Sequence, residues 1–127
     1  MTNIRNLRSK DLHTFAETHT FRRHARAAGM SNEEIDNLVA FLAENPDAGD
    51  EIVGTGGCRK LRWARRGSGK RGGYRTVTFY SGATMPVFLL TVFAKGERAD
   101  LTQGERNELR KLTKVIATDY RERTRGR

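Results

Sequence analysis

The period of the apolar positions changes along the chain, and each change marks an element. Residues 1–12 are polar and without period, so a loose extension is expected there, with a short strand at 13–17. Residues 21–28 predict a helix, strongly basic on one side through Arg22, Arg23 and Arg26, and Gly29 stops it. Ser31 with Glu34 forms a Ser-x-x-Glu capping box, and Ile35, Leu38, Val39 and Leu42 follow at helical spacing. Asn45-Pro46-Asp47 ends that helix, because the residue before proline avoids the helical region. The period then falls to two. Over 58–64, Leu61 and Trp63 face one way and Lys60 and Arg62 the other. A glycine-rich connection at 67–73 leads to a strand at 74–80, rich in aromatic and β-branched residues, and 81–84 make a turn. Residues 87–94 are nearly continuously apolar, which predicts a strand central in its sheet. A last helix begins at Thr102, where Glu105 completes a second capping box, and Leu109, Leu112, Val115, Ile116 and Tyr120 form its apolar stripe.

The order is helix, helix, strand, strand, strand, helix. It predicts an α+β fold: a small antiparallel sheet packed by two N-terminal helices and one C-terminal helix. The division is a polar extension at 1–12, one domain at 13–120 and a basic tail at 121–127, and 127 residues suit a single core.

Composition narrows the setting. Hydrophobic residues are 36% and charged residues 31% of the chain, and the longest apolar run, 86–93 with Thr91 inside it, is too short to span a bilayer. The N-terminal stretch carries positive charge but no apolar segment, so no secretory leader is expected. The one cysteine, Cys58, has no partner for an internal disulfide and fits no zinc spacing, which points to a reducing cytoplasm. With no histidine within reach in sequence, it is read as a small buried side chain rather than a nucleophile. His13, His19 and His24 lack metal-ligand spacing and are read as surface residues; no metal or cofactor is expected.

Charge changes the picture most. The net charge is +9, which calls for a polyanion or an acidic protein as partner. It is concentrated at 59–75, where Arg59, Lys60, Arg62, Arg65, Arg66, Lys70, Arg71 and Arg75 occur with no acidic residue among them. Phosphate relieves such crowding by counterion release, and the planar arginine fork matches its oxygens. Trp63, Tyr74, Phe79, Tyr80 and Phe93 lie close by. Trp63 and Phe79 are assigned to the core, and Tyr74 is kept as a candidate for stacking on unpaired bases. The run Gly67-Ser68-Gly69-Lys70-Arg71-Gly72 formally matches G-x-G-x-x-G. It precedes a strand rather than a helix, and Arg71 stands where a phosphate-binding loop needs Ser or Thr, so it is read as a hairpin connection.

Three segments together resemble RelE/HigB-type toxins of bacterial type II toxin–antitoxin modules. They are Gly54-Thr55-Gly56-Gly57 leading into Arg59-Lys60-Leu61-Arg62-Trp63-Ala64, then Gly72-Gly73-Tyr74-Arg75, then Phe93-Ala94-Lys95 followed by Ala99-Asp100-Leu101-Thr102. The likeness covers roughly 13–115 and implies a RelE-like fold and a metal-independent, ribosome-dependent mRNA endoribonuclease. In such an enzyme the ribose 2′-OH attacks the adjacent phosphate. It implies catalytic Lys60, Arg62, Arg75 and Lys95, with Arg75 and Lys95 on transition-state charge and Lys60 and Arg62 on phosphate positioning. Arg59, Arg65, Arg66, Lys70, Arg71 and Tyr74 would bind RNA. Several relatives carry a histidine or tyrosine as acid or base near the end of the last strand. Residues 93–98 hold neither, which leaves Glu97 or Lys95 for that role. The resemblance further implies mRNA on the ribosome as target and a cognate antitoxin of helix-turn-helix type. The toxin alone would be monomeric and the complex of higher order. The rival readings are a toxin of the same fold acting on DNA gyrase, a non-catalytic RNA- or ribosome-binding protein and, well behind, a membrane-surface protein.

Overall fold

The computed structural model describes residues 5–9, 12–18, 20–64, 73–82, 86–94, 96 and 100–125, with side chains described within 18–119 of that set. Its elements are β1 (Arg5–Ser9), β2 (Leu12–Glu17), α1 (Phe21–Ala27), α2 (Asn32–Glu44), β3 (Asp50–Glu51), β4 (Cys58–Trp63), β5 (Tyr74–Phe79), β6 (Val87–Ala94) and α3 (Gln103–Arg125). The strands form one sheet in the order β1-β2-β6-β5-β4-β3. From β6 to β3 every pairing is antiparallel, which is the expected meander with a two-residue strand added at its edge. At the other side β2 runs parallel to β6, with Phe15, Ala16 and Glu17 opposite Val87, Phe88 and Leu89.

Two readings need correction. Residues 5–9, expected to be loose, pair with β2 as an antiparallel hairpin, and the basic C-terminal segment continues α3 as far as Arg125. Polar strands at a sheet edge carry too little apolar alternation to be seen in the sequence.

The caps hold as expected. The Ser31 hydroxyl accepts from the Glu34 N–H at 3.1 Å while the Glu34 carboxylate accepts from the Ser31 N–H at 3.0 Å. Thr102 and Glu105 repeat the exchange at 3.1 and 2.8 Å. Gly29, at φ +101°, takes the left-handed conformation that ends α1.

The sheet separates two apolar layers. On one face α1 and α2 cover Tyr74, Val87, Leu89, Val92 and Ala94 with Phe21, Ile35, Leu38 and Leu42. On the other, α3 lays Leu109, Leu112, Ile116 and Ala117 over Cys58, Val77, Phe79, Phe88, Leu90 and Phe93. Leu61 and Trp63 join the first layer, as their alternation with Lys60 and Arg62 requires. Val115, placed in the α3 stripe by its spacing, is 63% exposed and belongs to neither layer. Among the described residues no helix is long and apolar enough to cross a membrane.

Candidate nucleic-acid interface

The β4–β5 register sets the site. Lys60 stands opposite Val77, and Arg62 directly opposite Arg75. Since Val77 packs under α3, alternation puts Lys60, Arg62 and Arg75 on that same face, near the N-terminal end of α3. Two arginines facing each other across a strand pair repel, so the sheet holds this arrangement at a cost.

Arg75 is the unusual member. It is only 7% exposed, on a strand buried along its whole length. Its guanidinium donates to the Tyr74 carbonyl at 3.4 Å, a marginal length, and among the described residues no carboxylate lies within ion-pair distance of it. Burial, and then the neighbouring Arg62, depress its pKa, while Asp100 acts in the opposite direction. Arginine nevertheless stays charged in proteins, so the site carries a fixed, desolvated and poorly neutralised cation. Such a group favours an anion with several oxygens to accept its N–H donors.

Asp100 organises two further cations, Lys60 and Arg106. Its Oδ1 accepts from Lys60 Nζ at 2.9 Å and from the Leu101 N–H at 2.8 Å, and its Oδ2 accepts from Arg106 at 3.4 Å. The Lys60 ammonium first, then the Leu101 N–H, hold the Asp100 carboxyl below the usual range, against a smaller opposing effect of desolvation. Asp100 enters the sequence reading only as part of the segment 99–102 that carries the resemblance, with no role in the site, and Arg106 does not enter it. Asp100 stands 40 residues from Lys60, and only the position of α3 against β4 brings them together.

The other expected site residues divide. Arg62 is exposed and free to meet a ligand. Arg59 alternates to the opposite face, where its guanidinium donates to the Gly49 carbonyl at 3.1 Å, so it is not part of the Lys60–Arg62–Arg75 cluster. Tyr74 is a correction. It is wholly buried in the layer under α1 and α2, and its ring is core rather than a stacking surface. Phe79 and Phe93 are core as well, and half-buried Trp63 lies against Phe41 with ring centroids 5.2 Å apart. Arg65, Arg66, Lys70, Arg71, Lys95 and Glu97 lie outside the described residues, as does His19.

The remaining candidates are away from this chemistry. Burial pushes the Cys58 thiol up to about 11, the reverse of an activated nucleophile. His24 is half-buried rather than a surface residue, its Nδ1 2.7 Å from Thr91 Oγ1. Among the described residues no group of three or more His, Cys, Asp or Glu could hold a metal ion. A groove of about 1000 Å³ runs between α1, β6 and the start of α3, lined by Leu90, Phe93, Leu101 and Leu109 among others, and contains none of the site's cations.

A basic face at the open end of a four-stranded antiparallel meander, flanked by a capped C-terminal helix, thus agrees with the fold the resemblance implies. A family model described as the RelE toxin of the RelE/RelB toxin–antitoxin system matches residues 13–124. That match takes in α1, α2, all but the last residue of α3 and all of the sheet from β3 to β6, so the chain belongs to the RelE toxin family, the toxin half of a toxin–antitoxin system.

Proposed function

We propose that this toxin is a ribosome-dependent endoribonuclease that cuts mRNA in the ribosomal decoding site, in the cytoplasm, and so stops translation. The observation that carries the reading is Arg75, a nearly buried arginine facing Arg62 with no carboxylate at ion-pair distance among the described residues. A structural arginine is ordinarily given an anionic partner when it is withdrawn from water. One left without such a partner beside further cations is suited to a ligand that brings the charge itself.

The proposed reaction needs no group beyond RNA and protein. As the ribose 2′-oxygen bonds to phosphorus, its proton leaves, the P–O5′ bond breaks and the 5′-oxygen takes up a proton. The products are a cyclic phosphate and a free 5′-hydroxyl. Charge accumulates on the phosphorane oxygens, where Arg75 and Lys95 stabilise it, and Lys60 and Arg62 hold the phosphate for in-line attack. Lys95 and Glu97 are the proposed carriers of the protons. Family membership brings a cognate antitoxin, and we propose that it is an acidic protein with a helix-turn-helix domain.

Primer extension on mRNA in a translating extract tests this. Wild type should cut at in-frame positions only when ribosomes engage. Removal of one fixed donor to a developing anion costs on the order of 10²–10³ in rate, so Arg75→Ala should nearly abolish cutting. Arg75→Lys keeps the charge but loses the planar fork, and should also lose most activity. Equal cutting by Arg75→Lys and wild type would refute the role of the fork. A folded wild type that cuts nothing would favour the gyrase-directed or binding-only readings.

A further inference from the structure

We infer that Asp100 is a positioning residue of the RNA site, one that fixes the Lys60 ammonium and the Arg106 guanidinium on the face of the sheet that carries Arg75, and that Arg106 thereby joins the phosphate-binding set. The inference rests on the nuclease reading for its substrate, but its geometry is independent of it.

The carboxylate is itself held. The Leu101 N–H donates to Oδ1 at 2.8 Å, so the backbone at the entry to α3 sets where this oxygen lies. Lys60 arrives at the same oxygen from β4, and Arg106 reaches Oδ2 from the first turn of α3. One side chain thus gathers two cations from elements far apart in sequence. Its field also extends to Arg75, whose guanidinium it favours in the charged form.

Stability does not account for the arrangement. The side chains are 27% exposed for Lys60 and 44% for Asp100, and ion pairs that meet solvent contribute little. The geometric effect is larger. A lysine stem is a flexible chain of four carbons, and an unpinned ammonium on the face shared with Arg62 and Arg75 would swing outward into water. Held by Asp100, Lys60 spends one of its three N–H donors and keeps two for a phosphate oxygen. The guanidinium of Arg106 likewise retains donors beyond the one it gives to Asp100. The alternative role for a carboxylate between cations is to occupy the phosphate's place and be expelled by it. A backbone-anchored carboxylate of depressed pKa is poorly suited to that, and the two roles predict opposite effects of neutralising it.

The test is a double-mutant cycle of Asp100→Asn and Lys60→Ala, read as cleavage at saturating toxin and, separately, as affinity for ribosomes. The Asn variant keeps one oxygen for the Leu101 N–H and exchanges the charge and the second acceptor for a neutral amide NH2, which cannot accept from Arg106. Positioning predicts that Asp100→Asn slows cleavage about tenfold with ribosome affinity changed less than about twofold, and that the double variant is slowed by clearly less than the product of the two single effects, the remainder passing through Arg106. Effects that multiply would show that Asp100 does not act through Lys60, and a gain in affinity would show a displaced stand-in; either result overturns the inference. Thermal unfolding of Asp100→Asn should be nearly unchanged, so a slow enzyme that is also strongly destabilised counts against it. Arg106→Lys should retain more cleavage than Arg106→Ala, and equal activity of Arg106→Ala and wild type would remove Arg106 from the set. Should the wild type cut nothing, the nuclease reading fails separately. The side-chain nitrogen signal of Lys60 then decides for Asp100. An ammonium ordered in wild type and averaged in Asp100→Asn upholds the pinning, and one as mobile as the exposed lysines refutes it.

Discussion

Alanine at Gly56 and alanine at Gly54 impose the same backbone cost and differ in one contact, which makes the pair a test of how α3 is fastened to the sheet. The turn at 54–57 joins β3 to β4. Thr55, fully buried within it, donates to the Ile52 carbonyl at 2.6 Å and accepts from the Cys58 N–H at 3.1 Å. From α3, Thr113 donates to the Thr55 carbonyl at 2.9 Å, in competition with the Arg110 carbonyl of its own helix. Gly54 and Gly56 both have positive φ, +84° and +77°. A Cβ at Gly54 would meet nothing within 4 Å, whereas one at Gly56 would lie 2.6 Å from Thr113 Oγ1. Left-handed backbone costs an alanine about 1–2 kcal/mol at either position, and the smaller gain from stiffening the unfolded chain is common to both. Only Gly56→Ala also displaces the Thr113 hydroxyl, adding about 0.5–1.5 kcal/mol for a lost hydrogen bond and leaving the Thr55 carbonyl poorly satisfied. Urea unfolding should therefore place Gly56→Ala about 1–2 kcal/mol below Gly54→Ala, or several degrees in Tm for a chain of this size. In a Thr113→Ala background the offending oxygen is gone and the nearest remaining atom is Thr113 Cβ at 3.7 Å, so the gap should close. Equal costs in the wild-type background, or a gap that persists without the Thr113 hydroxyl, would refute the reasoning.

Two further outcomes follow from burial. The Cys58 thiol, raised from 9.0 to about 11, stays protonated in the folded chain at pH values where the unfolded chain ionises. Its contribution is fully present below the unfolded pKa and is lost as pH rises toward 11. Stability should thus fall by on the order of 1 kcal/mol between pH 7 and pH 10 relative to Cys58→Ala, as read by denaturant melts of both at each pH; parallel pH profiles would show that the thiol does not ionise differently on folding. On α3, Val115→Lys should change stability by less than about 0.5 kcal/mol, since Val115 is 63% exposed, whereas Leu112→Ala should cost more than about 1 kcal/mol; thermal unfolding of the two variants separates the packed face from the wet one.

What the sequence made legible, and what it did not, follows from the range of the interactions. The capping boxes at Ser31 and Thr102, the alternation of Leu61 and Trp63 with Lys60 and Arg62, and the apolar run of β6 are local signals, and each element they mark is present. The β1–β2 hairpin and the parallel β2–β6 pair are not local: Thr18 reaches the Leu89 carbonyl at 2.9 Å across 71 positions, and nothing in the polar residues at 5–9 announces a partner. Val115 shows the limit of periodicity, because the helical stripe is wider than the strip of sheet that receives it. Tyr74 shows another limit. Its place beside a glycine-rich basic loop suggested an exposed ring, but the strand's alternation turns it under α1 and α2.

The basic run itself was plain, yet charge density does not rank its members. Eight cations in 59–75 look alike in sequence, and solvent treats most exposed cations alike. Folding distinguishes four environments among those described, the first being that of the exposed Arg62. Arg59 is tied to a backbone carbonyl on the far face, Lys60 is pinned to Asp100, and Arg75 is nearly dry with only the Tyr74 carbonyl for a hydrogen bond. Of these, only the last gains steeply from an incoming anion, because a charge already withdrawn from water interacts with it through protein rather than solvent. The buried position of Arg75 near the start of β5, opposite Arg62, is therefore what converts a generally basic surface into a site with a specific geometry. It is also why the carboxylate that tempers that site comes from Asp100, which enters from the start of α3, outside the run of cations altogether.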